Sequence, residues 1–527
     1  MNSHASLPYK NVFLKRFFFI FLPILLFTVA QGGNNLLSFE GKENLNSKYK
    51  NYNVVLIILD ALRPDYLGCY GYSKKVSSNI DKLSNKSIIF KNAFCQFPVT
   101  FPSTTSIFTS LYPFSHGTIE IFKDTVPERV YTMAQILNIY GYNTAWFGGL
   151  GDPHTGGAKA HLLKGYNDIK EIDHNDIFKW IEDNKTRPFF LTIHSYSVHE
   201  AFFPFERFNN NFSSKVSKKL YELLDGIKEK QWYVFQDILN NEPGKAYKML
   251  GKEWVERHSI DFSKPYSKEN IYKLFAESEN PERTFRLNQF FNLNFSYYHS
   301  VVKGFDKKQL SDYLLLLDSA IFEIDRDLIG RLIDHLKNSG LDKKTLIIIT
   351  ADHGNEFLEH GDVGHGSHLY DESIHVPLII SMPDLEKGIR IKEFVQSIDI
   401  LPTLLDLLGI PVPYQAQGIS LVGLIEGNKN TLINKYVISQ TGGSFCIRSR
   451  DWKYIKNNAK EEELYDLRHD KNEKDNLVNK RHKVAEDLKK RLDLTINSLI
   501  VYKDRENEFL PFIDEKAREN IKKTGYW

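Results

Sequence analysis

Two aspartates, a histidine and a threonine stand where the chain changes character, and together they could hold a cation and make an alcohol reactive. Asp60 closes the apolar run "VVLIIL", and Asp352, with His353 beside it, follows "LIIITA". A carboxylate at the end of a buried run is costly to desolvate, so it takes a cationic partner or caps a following helix. Either reading serves for one aspartate alone. Two such sites, one adjoining an imidazole, favour a shared metal. Thr100, in "FCQFPVTFPSTTSIFTSLYPFSHG" (94–117), adds a hydroxyl oxygen. The mixed oxygen and nitrogen set suits one divalent ion, Ca²⁺, Mn²⁺ or Zn²⁺, and argues against metals that prefer thiolates. A cation lowers the pKa of a bound water by about 8 units, worth roughly 11 kcal/mol, and a similar effect on Thr100 would yield an attacking alkoxide. The competing reading makes Thr100 an ordinary capping hydroxyl before a helix over 103–110. Cys95, five residues earlier, reads as a packed and inert small side chain.

The elements that must position these groups are visible as alternating patterns. Short β-branched runs ending in turns occur at "NVVLIILDALRPDYLGCYGY" (53–72), "PFFLTIHSYSVHE" (188–200) and "KTLIIITADHGNE" (344–356). Continuous apolar runs of this kind fit strands buried on both faces. Helical spacing lies between them, at 130–142 and at 323–340, the latter closed by Gly340 as a C-cap. The expected fold is α/β, a mostly parallel central sheet flanked by helices. Ligands in such sheets bind beyond the carboxyl ends of the strands, where the polar residues above lie.

Residues 206–312 form a helical insertion, either a lid or a decoration, with Trp232, Tyr233, Phe290 and Phe291 available to stack on a substrate or to build the insertion's own core. From 429 to 527 the pattern turns to short strands and a charged helix (481–500), a small α+β subdomain. The catalytic domain is expected over 51–428, after a polar linker at 31–50. Lys15-Arg16 followed by fourteen uncharged residues, Phe17–Ala30, has the layout of a signal peptide, or of an N-terminal membrane anchor, over residues 1–30. A secreted or periplasmic protein, tethered to the membrane if the segment is retained, is the expectation. Net charge of +2 gives no electrostatic case for nucleic acid, and three cysteines make no disulfide framework.

The motifs, taken in order, resemble the sulfatases of the alkaline phosphatase superfamily, over nearly all of residues 51–480 apart from the insertion. "DALRPDYLGCYGY" looks like the first metal-binding strand end. "TFPSTTSIFTSLYPFSHG" is similar to the nucleophile signature, and "LTIHSYSVHEAFFPF" to the strand ending in an active-site histidine, here His199. "TADHGNEFLEHGDVGHGSHLYDESIHVPLII" resembles the second metal pair with its following basic residue, here His365. "SIDILPTLLDLLGIPVP" and "CIRSRDWKYIKN" look like the late helix and C-terminal subdomain. The resemblance implies a hydrolase of sulfate or phosphate/phosphonate esters, with Asp60, Thr100, Asp352 and His353 as metal ligands and Thr100 as nucleophile. It implies that His199 or His365 protonates the leaving oxygen or binds the anion. Thr104 stands at a substrate-binding position.

Several positions depart from the sulfatase pattern. Thr100 replaces the Cys or Ser that is oxidised to formylglycine, and threonine cannot give that aldehyde. Thr104 stands for an arginine, Ala61 for a second carboxylate, His353 for an amide, and Gly149 and His365 for lysines. Fixed positive charges give way to imidazoles, which titrate near neutrality. No Asp-x-x-x-His for a second metal is apparent, since Phe322 follows Asp318 by four residues. The expected substrate is a sulfated or phosphorylated glycan or a small-molecule ester. A phosphoethanolamine- or glycerol-phosphate-type transferase acting on a cell-surface glycan is the alternative on the same residues. A catalytically inactive binding module is the third. His116 and His368 read as structural.

Overall fold

The computed structural model describes residues 48–502 except 120–123, 149–161, 171, 201–202, 243, 245–260, 262, 266, 268–294, 429–430, 459 and 500. The expected signal or anchor segment, nearly all of the linker, Gly149, Phe290 and Phe291 lie outside the described residues, as do the side chains of Trp232 and Tyr233. Among the described residues no helix is long and apolar enough to cross a membrane.

Fourteen strands are described. They are β1 (Asn53–Leu59), β2 (Ser87–Phe94), β3 (Asn143–Gly148), β4 (Asp168–Lys170), β5 (Phe189–Ser195), β6 (Thr345–Thr350), β7 (Glu356–Phe357), β8 (Val363–Gly364), β9 (His375–Ser381), β10 (Ile389–Gln396), β11 (Val437–Gln440), β12 (Ser444–Arg448), β13 (Trp452–Asn457) and β14 (Glu463–Asp466). Eight build the central sheet in the order β10, β2, β9, β6, β1, β5, β3, β4. Every residue of β1, β5 and β6 is buried, which is why these runs show no polar alternation. β1 lies between β5 and β6, parallel to both, and pairs Ile58 with His194 and with Thr350. β9 alone runs against its neighbours, β2 and β6. The sheet is therefore mixed but mostly parallel.

Helices cover the sheet. The expected helix at 323–340 is instead a π-helical turn, Asp325–Gly330, feeding the helix Arg331–Asn338. The wider turn sets the Asp325 carboxylate against the backbone N–H groups of Asn79 and Ile80, and a Cβ on Gly330 would meet Asn79 Nδ2 at 2.7 Å. Gly340 does end this segment, with φ 71° and the N–H of Leu341 reaching back to the Leu336 carbonyl. Within 206–312 the helices Lys218–Asn241 and Phe295–Lys303 are described, and Lys307–Ile324 begins there and runs on against the sheet domain.

β11 to β14 form a four-stranded antiparallel sheet that packs Ile447, Tyr454 and Leu464 against Leu488 and Leu492 of the helix His482–Ser498. It joins the central sheet beside the end of β2, where Gln440 N–H donates to the Gln96 carbonyl at 2.9 Å and Ser439 Oγ to that of Cys95.

Candidate active site

Parallel strands β1, β5 and β6 deliver their carboxyl ends to one edge. Asp60 is the first residue after β1, held there by its N–H to the Ser195 carbonyl at 2.9 Å, and Asp352 lies two residues beyond β6. Both are fully buried. Asp352 Oδ1 accepts from the N–H groups of Ala61 (3.2 Å) and His353 (2.9 Å), so the two loops lock each other in place. Ala61 adopts φ 60°, a left-handed turn that folds the chain over Asp352.

Thr100 opens the helix Thr100–Thr109 rather than preceding it, and Val99 is the capping position with no side-chain bond. The Thr100 hydroxyl is thus available, and it lies 3.3 Å from Asp60 Oδ2 and 3.3 Å from His353 Nε2. Pro102 is tolerated because a first-turn N–H has no helical partner anyway. Ser103 Oγ donates to the Asp352 carbonyl at 2.5 Å and fixes the helix start against the end of β6. Thr104, expected at a substrate-binding position, lies one turn into this helix and is buried. Its hydroxyl donates to the Thr100 (2.6 Å) and Phe101 (3.1 Å) carbonyls, so its proton is committed to its own helix. Cys95 is buried, with its thiol pushed well up by desolvation.

Asp60, Asp352 and His353 bring ligand atoms within 4.8 Å of one another. His353 Nδ1 faces the Gly354 carbonyl at 2.8 Å, an acceptor, so the proton sits on Nδ1 and Nε2 turns its lone pair to the cluster. Burial lowers the His353 pKa to about 4, which keeps the ring neutral. Burial, with Asp352 nearby, pushes Asp60 up to about 7. Burial would raise Asp352 too, but His353, His194 and the Ala61 N–H hold it below the ordinary carboxylate range. Asp60 Oδ1 and Asp352 Oδ2 are buried with no hydrogen-bond donor. Carboxylate oxygens in that state fit a cation.

His199 and His365 meet beside this set, Nε2 to Nε2 at 3.0 Å, and His199 Nε2 is 3.9 Å from Asp60 Oδ1. The His365 ring stacks on His353 with centroids 4.1 Å apart. Its position is framed by Gly364 and Gly366, at φ 89° and 91°. A Cβ at Gly364 would meet His299 Cε1 at 2.9 Å, and one at Gly366 would meet Val99 Cγ2 at 3.0 Å.

Two residues of the site were not anticipated. His194, inside β5, puts Nε2 3.3 Å from Asp60 Oδ2 and 3.8 Å from Asp352 Oδ2. Burial lowers its pKa, but the two carboxylates outweigh that and raise it to about 9. It fits because its β3 neighbour is Gly148, where a Cβ would come within 2.8 Å of the His194 carbonyl. Glu200 is buried and faces His199 Nδ1 at 3.3 Å and His365 Nε2 at 3.6 Å. A polar residue aligned with β-run ends on neighbouring strands was the available signal for His194. His116 is buried, accepts from Thr118 N–H at 3.0 Å and meets Ser106 Oγ at 3.2 Å; His368 Nδ1 pairs with Glu356 at 3.1 Å.

Comparison with known proteins places the chain in a family and a fold. A family profile described as "Sulfatase" matches residues 52–410, and one described as "N-sulphoglucosamine sulphohydrolase, C-terminal" matches 359–498. A Delta 4,5-hexuronate-2-O-sulfatase of Bacteroides thetaiotaomicron is 23% identical, over 81% of this chain and 84% of its own. An arylsulfatase of Clostridium perfringens is 26% identical, over 85% and 93%. The solved phosphonate monoester hydrolase of Agrobacterium radiobacter superposes with TM-score 0.60 at 18% identity, covering 85% of this chain and 95% of that one.

Proposed function

The chain belongs to the sulfatase family, hydrolases acting on ester bonds, and from that premise we propose that it cleaves a sulfate, phosphate or phosphonate ester with Thr100 as the attacking group. The observation that carries this reading is the Thr100 hydroxyl, 3.3 Å from Asp60 Oδ2 and from His353 Nε2, at the first turn of a helix whose dipole favours negative charge. Family members depend on a metal, and Asp60, Thr100, Asp352 and His353 would hold one divalent ion; the imidazole moves the preference from Ca²⁺ toward Mn²⁺ or Zn²⁺. When bound, such an ion supplies the charge that acidifies the threonine hydroxyl and polarises the ester.

Thr100 Oγ1 approaches the central sulfur or phosphorus opposite the leaving alcohol. The new oxygen bond forms as the ester bond breaks, and the departing alkoxide takes a proton on the side where His199 and His365 meet. Water then releases the anion from Thr100 and restores its hydroxyl. The substrate class is a sulfated or phosphorylated glycan or a small ester. The 2-O-sulfatase relative supports a uronic-acid-containing glycan as the first to test. The transferase alternative differs only in replacing the second water by a glycan hydroxyl. An apolar segment at 17–30 supports export, to the periplasm or outside the cell.

The test is a panel of nitrophenyl sulfate, phosphate, phosphodiester and phosphonate esters with Ca²⁺, Mn²⁺ or Zn²⁺, followed by acid quench and mass spectrometry. A sulfo- or phospho-Thr100 peptide supports the assignment. Full turnover by Thr100→Ala overturns it.

A further inference from the structure

We propose that His360 is a positioning residue: as an imidazolium it pins the loop between His353 and His365 to the C-terminal subdomain, and its proton governs how well His365 is placed. The inference goes beyond the function proposed above and rests on that reading only for its kinetic readout. The loop in question carries His353 at its start and His365 just past its end. Between them Glu356 of β7 pairs with Gly364 of β8. The tip of this hairpin lies at 358–362, where the Leu358 N–H donates to the Asp362 carbonyl at 2.8 Å.

His360, at the tip, meets an acceptor on each ring nitrogen. Nδ1 faces Glu372 Oε1 in a short contact, and Nε2 faces the Glu473 carbonyl at 3.0 Å. Burial would raise the Glu372 carboxyl, but the bond from His360 outweighs that and holds it below its ordinary 4.5, so it too only accepts. A neutral imidazole has one N–H and would set a lone pair against one of these oxygens; both are satisfied only by the doubly protonated ring. The His360 and Glu372 side chains are 11% and 9% exposed, and the ring stacks on Tyr370 with centroids 3.6 Å apart. Burial lowers the His360 pKa, but the bonds to Glu372 and to the Glu473 carbonyl outweigh that and raise it above 6.5, against the nearby charge of Lys474. The Glu473 carboxylate is turned elsewhere, to Lys453 Nζ at 2.7 Å and to the Asp371 N–H at 2.7 Å. Tyr370, its phenol pushed up by burial, stays neutral and donates to Glu463 Oε2 at 3.0 Å.

The pinned tip is coupled to the strand ends. Glu359 Oε1 accepts from Arg63 Nη1 at 2.5 Å, and the Glu359 carbonyl accepts from Lys474 Nζ. Arg63 Nη1 also donates to the Asn355 carbonyl at 3.1 Å. Asn355, with its amide nitrogen turned inward, reaches the Gly364 carbonyl at 3.1 Å, next to His365. Leu358, at φ 72°, and Glu473, at φ 54°, are two of the five non-glycine residues with positive φ among the described residues, one on each side of the contact. Such backbone persists where its surroundings hold it. The sign of the pH effect follows from the raised pKa. Its stabilising contribution is fully present below the unfolded value near 6.5 and is lost as pH rises through the folded one. Alkali should therefore free the tip and loosen His365.

Nuclear magnetic resonance of the full chain carrying isotope-labelled histidine tests the proton directly. The His360 signal, assigned by its loss in His360→Gln and its displacement in Glu372→Gln, is expected to titrate above 6.5 in the unaltered chain and at lower pH in Glu372→Gln. Hydrogen exchange by mass spectrometry, corrected for the intrinsic rate, should show the 356–364 segment protected below that titration and open above it. In the ester assay His360→Gln is expected to lower kcat/KM by about 10–100-fold below the titration and to lose the alkaline step of the unaltered chain. Glu372→Gln should move that step to lower pH. A His360 titration at or below 6.5, exchange at 356–364 that does not follow it, or an unchanged alkaline step in His360→Gln overturns the proposal. Titration and exchange need no turnover, so they decide the role of the pin whether or not Thr100 proves to be the nucleophile.

Discussion

Two clusters of buried charge solve the same problem differently. Asp371 and Glu473 each meet a fixed cation of the chain. Arg448 Nη2 reaches Asp371 Oδ2 at 2.8 Å, and Lys453 Nζ reaches Asp371 Oδ1 at 3.0 Å and Glu473 Oε1 at 2.7 Å. At the strand ends Asp60 and Asp352 have no lysine or arginine partner among the described residues, only imidazoles, and each leaves one oxygen without a donor. Desolvation is severe in both. The first cluster offsets it internally and ties the C-terminal sheet to the central one. The second is offset in part by His194 and leaves the rest to something from outside. Buried charge alone therefore does not mark a site; incomplete pairing does.

The comparison is broken most directly by removing the attacking oxygen. Thr100→Ala is expected to lower kcat by about 10⁴-fold or more while unfolding free energy moves by roughly 1 kcal/mol or less, measured by ester assay and urea titration. The second cluster should do the opposite. Lys453→Met strands Glu473 and leaves Asp371 to Arg448 alone, so stability should fall by about 3–5 kcal/mol with cation content unchanged. Acid should separate them as well. Burial would raise the Asp371 carboxyl, but Arg448 and Lys453 hold it well below its ordinary 3.8. A depressed carboxylate stabilises above its unfolded pKa, and that contribution is lost as pH falls from about 4. Thermal melts of Asp371→Asn should lack this part of the acid limb. The smallest effect is expected at Gly148→Ala, where crowding His194 should cost about 1–3 kcal/mol and weaken cation affinity by calorimetry.

Asp60, Asp352 and His353 were legible because they follow directly where an apolar run ends, and Thr100 because it opens a recognisable motif. His194 was not, because it sits inside its run and reads as one more strand residue; only the distances from its ring to Asp60 and Asp352 reveal it. Glu200 was hidden for another reason: an acid next to a histidine at a loop start looks like an ordinary surface group until burial is known. For Thr104 a motif gives the position of a hydroxyl and not the direction of its proton, which the structure turns toward the Thr100 and Phe101 carbonyls. The reversed strand β9 was also invisible, since "HVPLII" is equally apolar in either direction.

The two left-handed glycines flanking His365 bear on attempts to alter selectivity. They confine the backbone at 364 and 366 while the ring between them remains replaceable, so a mutagenesis library built to find new ester preferences should randomise codon 365 and leave its flanks untouched. Diversity placed at the flanks would be spent on chains that deform the His299 and Val99 surroundings before any new contact to a ligand could be sampled.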